Sequence, residues 1–200
     1  MSDSIQKITD IAPMAGSAGG NTAGDPVKSD YDQGKRHLEQ GNLTGAAVCL
    51  HNALLGYEEK GDKTGMANAS NQLGHVCLAK GDHIGAEIHY QRCWDLCSGL
   101  GDSLSLLSLS KRFVEVYRGQ KNYEKAISVC FDILDTHQRN NNPRGTVELL
   151  EELAVIYLEA DMKVKSADTY RTIASIHRNF KHKSIADSFD RKARELAADA

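Results

Sequence analysis

The chain repeats itself every 40 residues, and that period limits its architecture more than any single residue does. Steps of 40 from Gly74 meet Gly34, Val114 and Ala154, all small or apolar. The same step from Cys77 meets His37, Tyr117 and Tyr157, and from Ala86 it meets Ala46, Ala126 and Ser166. From Tyr90 it reaches Leu50, Cys130 and Tyr170, and from Cys93 it reaches Ala53, Ile133 and Ile173. Five columns thus keep one register through four copies without an insertion. Within a copy, residues 73–93 read as two short amphipathic helices joined at Gly81-Asp82. Units of this kind bury their apolar faces against their neighbours, so the pattern predicts an all-α solenoid that needs no central core.

Each helix boundary is marked twice, by a loss of apolar periodicity and by a breaker with a cap behind it. The first helix, 27–40, carries Tyr31, Gly34, His37 and Leu38 at helical spacing. Gly41-Asn42 ends it, glycine tolerating positive φ and asparagine capping the next helix. A second helix, about 43–60, places Ala46, Ala47, Leu50, Ala53, Leu54 and Tyr57 on one face. The cap column within copies reads Asn42, Asp82, Asn122 and then Met162, where the cap is expected to pass to Asp161. Turns between copies read Gly61-Asp62, Gly101-Asp102, Asn141-Asn142 and Lys181-His182, with Pro143 suited to the first helical position. The repeats therefore span about 27–62, 63–102, 103–142 and 143–182. A ninth helix, 183–198, puts Ile185, Phe189, Ala193 and Leu196 on one side and charges on the others, as a capping helix requires. Residues 1–26 include the glycine-rich run 16–24, have no periodicity to bury, and are expected to form a flexible tail before the repeat domain of 27–200.

Several function classes drop out. A formal net charge of -3 leaves no basic footprint for nucleic acid. No apolar run approaches the roughly 20 residues that cross a bilayer, so no membrane insertion is expected. Asp3, Lys7 and Asp10 interrupt the N-terminus, which does not read as a secretory signal. The five cysteines are odd in number and sit at helical core spacings, which points to a reducing, cytoplasmic compartment.

Leu73-Gly74, Cys77, Gly81-Asp82, Ala86, Tyr90 and Cys93 keep the order leucine-glycine, large residue, turn, alanine, aromatic, small. In this the chain resembles the tetratricopeptide repeat (TPR) over about residues 27–180. Gly74 and Ala86 are suited to close helix approach, and Tyr90 to filling the space between repeats. Departures exist: Asp30, Ser70, Ser110 and Leu150 stand where the family has an early tryptophan, and its terminal proline never appears. The 40-residue period is similar to the long-period branch found in spindle-orientation adaptors of the Pins type and in kinesin light chains. The resemblance implies a right-handed superhelix of four helix-turn-helix repeats plus the capping helix, around a concave groove that binds a peptide.

His89, Cys93 and Cys97 share a helical stripe whose donor types suit a metal. Structural zinc takes four ligands, however, and Cys93 sits in the packing column of Ala53 and Ile133. Cys93, with Cys77 and Cys130, is read as a core residue; Cys49 and Cys97 are expected to be the accessible thiols. No metal and no cofactor is expected. No carboxylate–histidine–nucleophile set can be assembled around His75, so the chain is read as non-catalytic. Trp94 is read as a packing residue.

What remains once the core is assigned is the exposed stripe of each first helix, which the resemblance places in the groove. It comprises Lys35 in the first repeat, then Asn68, Asn71, Gln72 and His75 in the second. Lys111, Arg112 and Arg118 come in the third, and Glu148, Glu151 and Glu152 in the fourth. The expected order runs from basic and amide-rich to acidic. The amides would pair with a peptide backbone, and the cations would select an acidic segment or a free carboxylate. The expected function is a protein-interaction adaptor; the competing one is a scaffold that assembles with copies of itself into homo-oligomers.

Overall fold

The computed structural model describes residues 24–198, and among them are nine α-helices and no strand. They are α1 (Pro26–Glu39), α2 (Leu43–Glu59), α3 (Lys63–Ala79), α4 (His83–Leu100) and α5 (Ser103–Gly119), then α6 (Tyr123–Arg139), α7 (Pro143–Glu159), α8 (Lys163–Asn179) and α9 (Lys183–Ala198). The expectation of a flexible tail falls largely on residues 1–23, outside the described ones. Pro26 already belongs to α1, whose N-cap Asp25 accepts from the Val27 N–H at 3.1 Å.

One turn design recurs every 20 residues. Its first residue takes a left-handed φ, and the next returns its N–H to the carbonyl five residues back, as Asn42 does to His37 at 2.8 Å and Asp82 to Cys77 at 2.9 Å. The side chain of that second residue then caps the helix after the turn. Asn42, Asp62, Asp82, Asn122 and Asn142 each accept from the backbone N–H three residues on. The fourth repeat departs from expectation. Met162 is the N-cap of α8 and makes no side-chain cap bond, because Asp161 is spent on the left-handed position at φ 57° and its carboxylate is not the one at the cap.

The chain divides into two compact units, one up to Arg112 and one from Phe113, with the boundary inside α5. In the first unit α1 packs on α2, α2 on α3 and α3 on α4. Ala46, Leu50, Leu54, Ala69, Leu73 and Val76 form a continuous buried cluster. Leu50 and Tyr90, each fully buried, lie over Gly34 and Gly74. A Cβ at Gly74 would stand 2.4 Å from Tyr90 Cε1, so only glycine admits the ring there. Burying Tyr90 contributes roughly 2–3 kcal/mol.

In the second unit α6 packs on α7, α7 on α8 and α8 on α9. Val114 and Ala154 take the glycine column and are fully buried, and Ser166 Oγ donates to the Ala154 carbonyl at 2.9 Å. α9 closes this unit with Ala186, Phe189 and Ala193; Phe189 stacks on Tyr170 at 5.9 Å and on His177 at 5.7 Å. Ile185, expected on the same side, is 45% exposed, since no further described helix comes after α9 to cover it.

Candidate peptide-binding face

The first unit concentrates polar side chains on α1, α3 and the start of α5. Asn71 and Gln72 face inward, each only 6% exposed, while Asn68 and His75 are half-buried. Tyr90 reaches His75 from α4 because Gly74 lets its ring pass, and the hydroxyl lies 2.9 Å from His75 Nδ1. His75 Nε2 lies 3.4 Å from Asn71 Nδ2. With the amide oriented so, Nε2 accepts from Asn71, and Nδ1 carries the proton and donates to the Tyr90 oxygen. Burial, and then the neighbouring Arg112 cation, push the His75 pKa down to about 4, so the ring is neutral near pH 7.

This arrangement leaves acceptors over. Asn71 Oδ1, Gln72 Oε1 and Ser70 Oγ are buried and have no hydrogen-bond partner among the described residues. Such orphans each cost about 1–3 kcal/mol unless something supplies donors. Tyr31 stands beside them, hydrogen-bonded to Gln72, its hydroxyl pKa pushed up to about 12 chiefly by burial. The Lys35 ammonium sits 5.7 Å from the Tyr31 ring centroid. Lys111 is exposed and Arg112 half-buried. Two buried amide acceptors thus share one unit with Lys35, Lys111 and Arg112.

The second unit holds the rest of the expected set, differently engaged. Arg118 forks onto Glu159 at 2.6 and 3.0 Å and reaches Glu152 at 3.4 Å. Glu148 accepts from Arg144 at 2.8 Å, and Glu151 is exposed. Arg118 is therefore neutralised by the acidic side chains it was expected to stand apart from. Glu159 is its main partner, 41 residues away in the neighbouring copy of nearly the same column.

Two cysteine expectations are corrected. Cys97 is fully buried, because the Gly101-Asp102 turn folds back on it, with the Asp102 N–H bonded to the Cys97 carbonyl at 3.0 Å. Cys77, expected in the core, is half-buried beside the Gly81 turn. Cys93 and Cys130 are buried as expected, Cys49 and Trp94 are half-buried, and all five cysteines are free.

Neither a protein-family model nor a curated protein sequence matches the chain. Solved structures do. A putative kinesin light chain from Podosopora anserina with nearly identical TPR-like repeats aligns with a TM-score of 0.63 at 11% identity, over 88% of this chain and 97% of that one. A variant of that protein aligns at 0.65 and 11%, over 86% and 92%. BtubC (BKLC) from P. vanneervenii aligns at 0.57 and 14%, over 86% and 80%. The fold is that of a TPR-type helical repeat. At such identities the likeness concerns the backbone, and the TPR-type chain keeps its own side chains on that frame. Its described helices include none long and apolar enough to cross a membrane.

Proposed function

We propose that the chain is a non-catalytic interaction adaptor that binds a peptide across α1, α3 and the start of α5. The observation that carries this reading is the pair of buried, unpartnered amide oxygens, Asn71 Oδ1 and Gln72 Oε1. An extended peptide presents backbone N–H donors regardless of its sequence, and rotation of the two side chains out of their buried positions would bring both oxygens to it. Lys35, Lys111 and Arg112 lie in the same unit, and the neutral His75 adds no charge of its own. The selected peptide therefore carries an acidic segment or a free C-terminal carboxylate, which guanidinium and ammonium groups bind by charge-assisted hydrogen bonds. The free thiols fit a reducing cytoplasmic setting.

An array of random peptides, half with free and half with amidated C-termini, tests this. Captured sequences should be rich in Asp and Glu or depend on the free carboxylate, and binding should fall with Asn71→Ala and Gln72→Ala. Enrichment of basic peptides, or unchanged capture by both alanine variants, would contradict it. A second reading, self-assembly, is favoured by Ile84 and Ile88, 70% and 64% exposed on one stripe of α4. Light scattering at two concentrations separates the readings, since a monomer at the higher concentration excludes assembly.

A further inference from the structure

We propose that Cys93 and Cys97 form a two-ligand site for a soft monovalent cation, Cu(I). The thiols lie on successive turns of α4 with Sγ atoms 3.9 Å apart, both side chains buried. That spacing separates the two things a thiol pair can do. A disulfide needs sulfurs about 2.05 Å apart and Cβ atoms about 3.5–4.5 Å apart. Residues four apart on a helix hold their Cβ atoms about 5–6 Å apart, so closing that bond would distort α4. A two-coordinate cation prefers a near-linear arrangement, which at about 2.3 Å to each sulfur sets them about 4.6 Å apart. Small rotations of the two side chains open the observed 3.9 Å to that span.

The number of ligands selects the metal. Among the described residues, no group of three or more His, Cys, Asp or Glu side chains is placed to hold an ion. Structural zinc takes four protein ligands, whereas soft thiolates suit Cu(I). On binding, each thiol gives up its S–H proton and forms an S–Cu bond, so two protons leave and the centre carries one negative charge. The two thiols already share an S–H···S contact, and both must ionise to bind the cation. Asp102 is close enough to oppose ionisation of both. Affinity should therefore tighten with pH, by up to about 100-fold per unit while both protons are displaced. Entry is through the last turn of α4, where Ser98, Gly99 and Leu100 are exposed and Gly99 weakens the helix before the left-handed Gly101.

The test is an anaerobic titration of the full, reduced chain with Cu(I) against a competing chelator, read together with copper-edge X-ray absorption. One Cu(I) on two sulfurs is expected. Affinity should drop by at least about 100-fold in Cys93→Ala and Cys97→Ser and hold in Cys49→Ser and Cys77→Ser. Binding that survives loss of Cys93 or Cys97, or a chain that cannot compete with the chelator, overturns the proposal. So does zinc binding of comparable strength. Should a variant lose helix by circular dichroism, alkylation of the copper-loaded native chain decides: protection of Cys93 and Cys97 but not Cys49 supports the site, and equal labelling refutes it.

Discussion

The two units solve the same helix-turn-helix problem with different residues. All four left-handed turn positions of the first unit are glycine, at 41, 61, 81 and 101. In the second unit they are Lys121, Asn141, Asp161 and Lys181, at φ 48–61°. The backbone shape is therefore set by the helix-end hydrogen bonds and by packing on both sides, and glycine lowers its cost without being required. The close-approach column changes in one repeat of the second unit. Small inner and large outer residues (Gly34 with Leu50, Gly74 with Tyr90) give way in the third repeat to Val114 with Cys130, both fully buried. The fourth repeat returns to a small inner and large outer pair, Ala154 with Tyr170, both buried. In the first unit the Tyr90 hydroxyl reaches His75, whereas Tyr170 in the second stands near the Glu151 carboxylate; the orphaned acceptors Ser70, Asn71 and Gln72 are in the first.

The largest effect that breaks this comparison comes from exchanging the size pattern. Gly74→Val puts a branched side chain into the Tyr90 ring and should cost about 3 kcal/mol of stability by overpacking. Adding Tyr90→Cys reproduces the third-repeat pair and should recover part of the loss. A single variant that melts like wild type would show that the ring does not lie over Gly74.

Next in size is a pH effect confined to the first unit. The His75 pKa is depressed to about 4 from an ordinary value of 6.5, so the unfolded chain takes up a proton at this site before the folded one does. The contribution is complete above pH 6.5 and is lost as pH falls from 6.5 towards 4. The part lost between about pH 7 and about pH 4.5 amounts to about 2–3 kcal/mol. Chemical denaturation at about pH 7 and about pH 4.5, on either side of that loss, should give a smaller drop for His75→Gln than for wild type. An equal drop would mean that other groups carry the acid sensitivity.

The smallest effects belong to the turns. Gly81→Ala forces a Cβ into the left-handed region and should cost about 1–2 kcal/mol. Met162→Asp supplies the missing cap side chain of α8 and should add about 1 kcal/mol. Lys121→Gly relieves a strained φ at some entropic cost, for a gain of about 0.5 kcal/mol. If Lys121→Gly destabilised the chain as much as Gly81→Ala does, the left-handed positions would not be equivalent.

Much of the fold is legible in the sequence because the period, the apolar columns and the breaker-plus-cap pairs are all local properties. The fourth repeat misleads because Asp161 is a good cap by type, yet the left-handed position comes first in the turn and takes it. The site is legible by residue but not by state. Columns name Asn71, Gln72 and His75, but their depth depends on how far α1 and α4 close over α3, which spacing does not report. Tyr90 reads as filler in the sequence, and its hydrogen bond to His75 emerges only once Gly74 is seen to let the ring through. Arg118 reads as a free cation, although an opposite charge 41 residues on, one copy away, is a signal visible in the neighbouring columns. Cys97 reads as a surface thiol by its place late in α4, until the turn that covers it is considered.

Recognition of an acidic peptide by the first unit, through Arg112 near His75, is the claim on which the functional reading stands. Its most direct measurement is calorimetric titration of one captured peptide into wild type, Arg112→Glu and, as a control on α9, Arg191→Glu. Arg112→Glu should weaken binding by about 2–5 kcal/mol if the contact is desolvated, and Arg191→Glu should bind like wild type. Unchanged affinity in Arg112→Glu together with a loss in Arg191→Glu would place recognition on the terminal helix of the second unit and contradict the account.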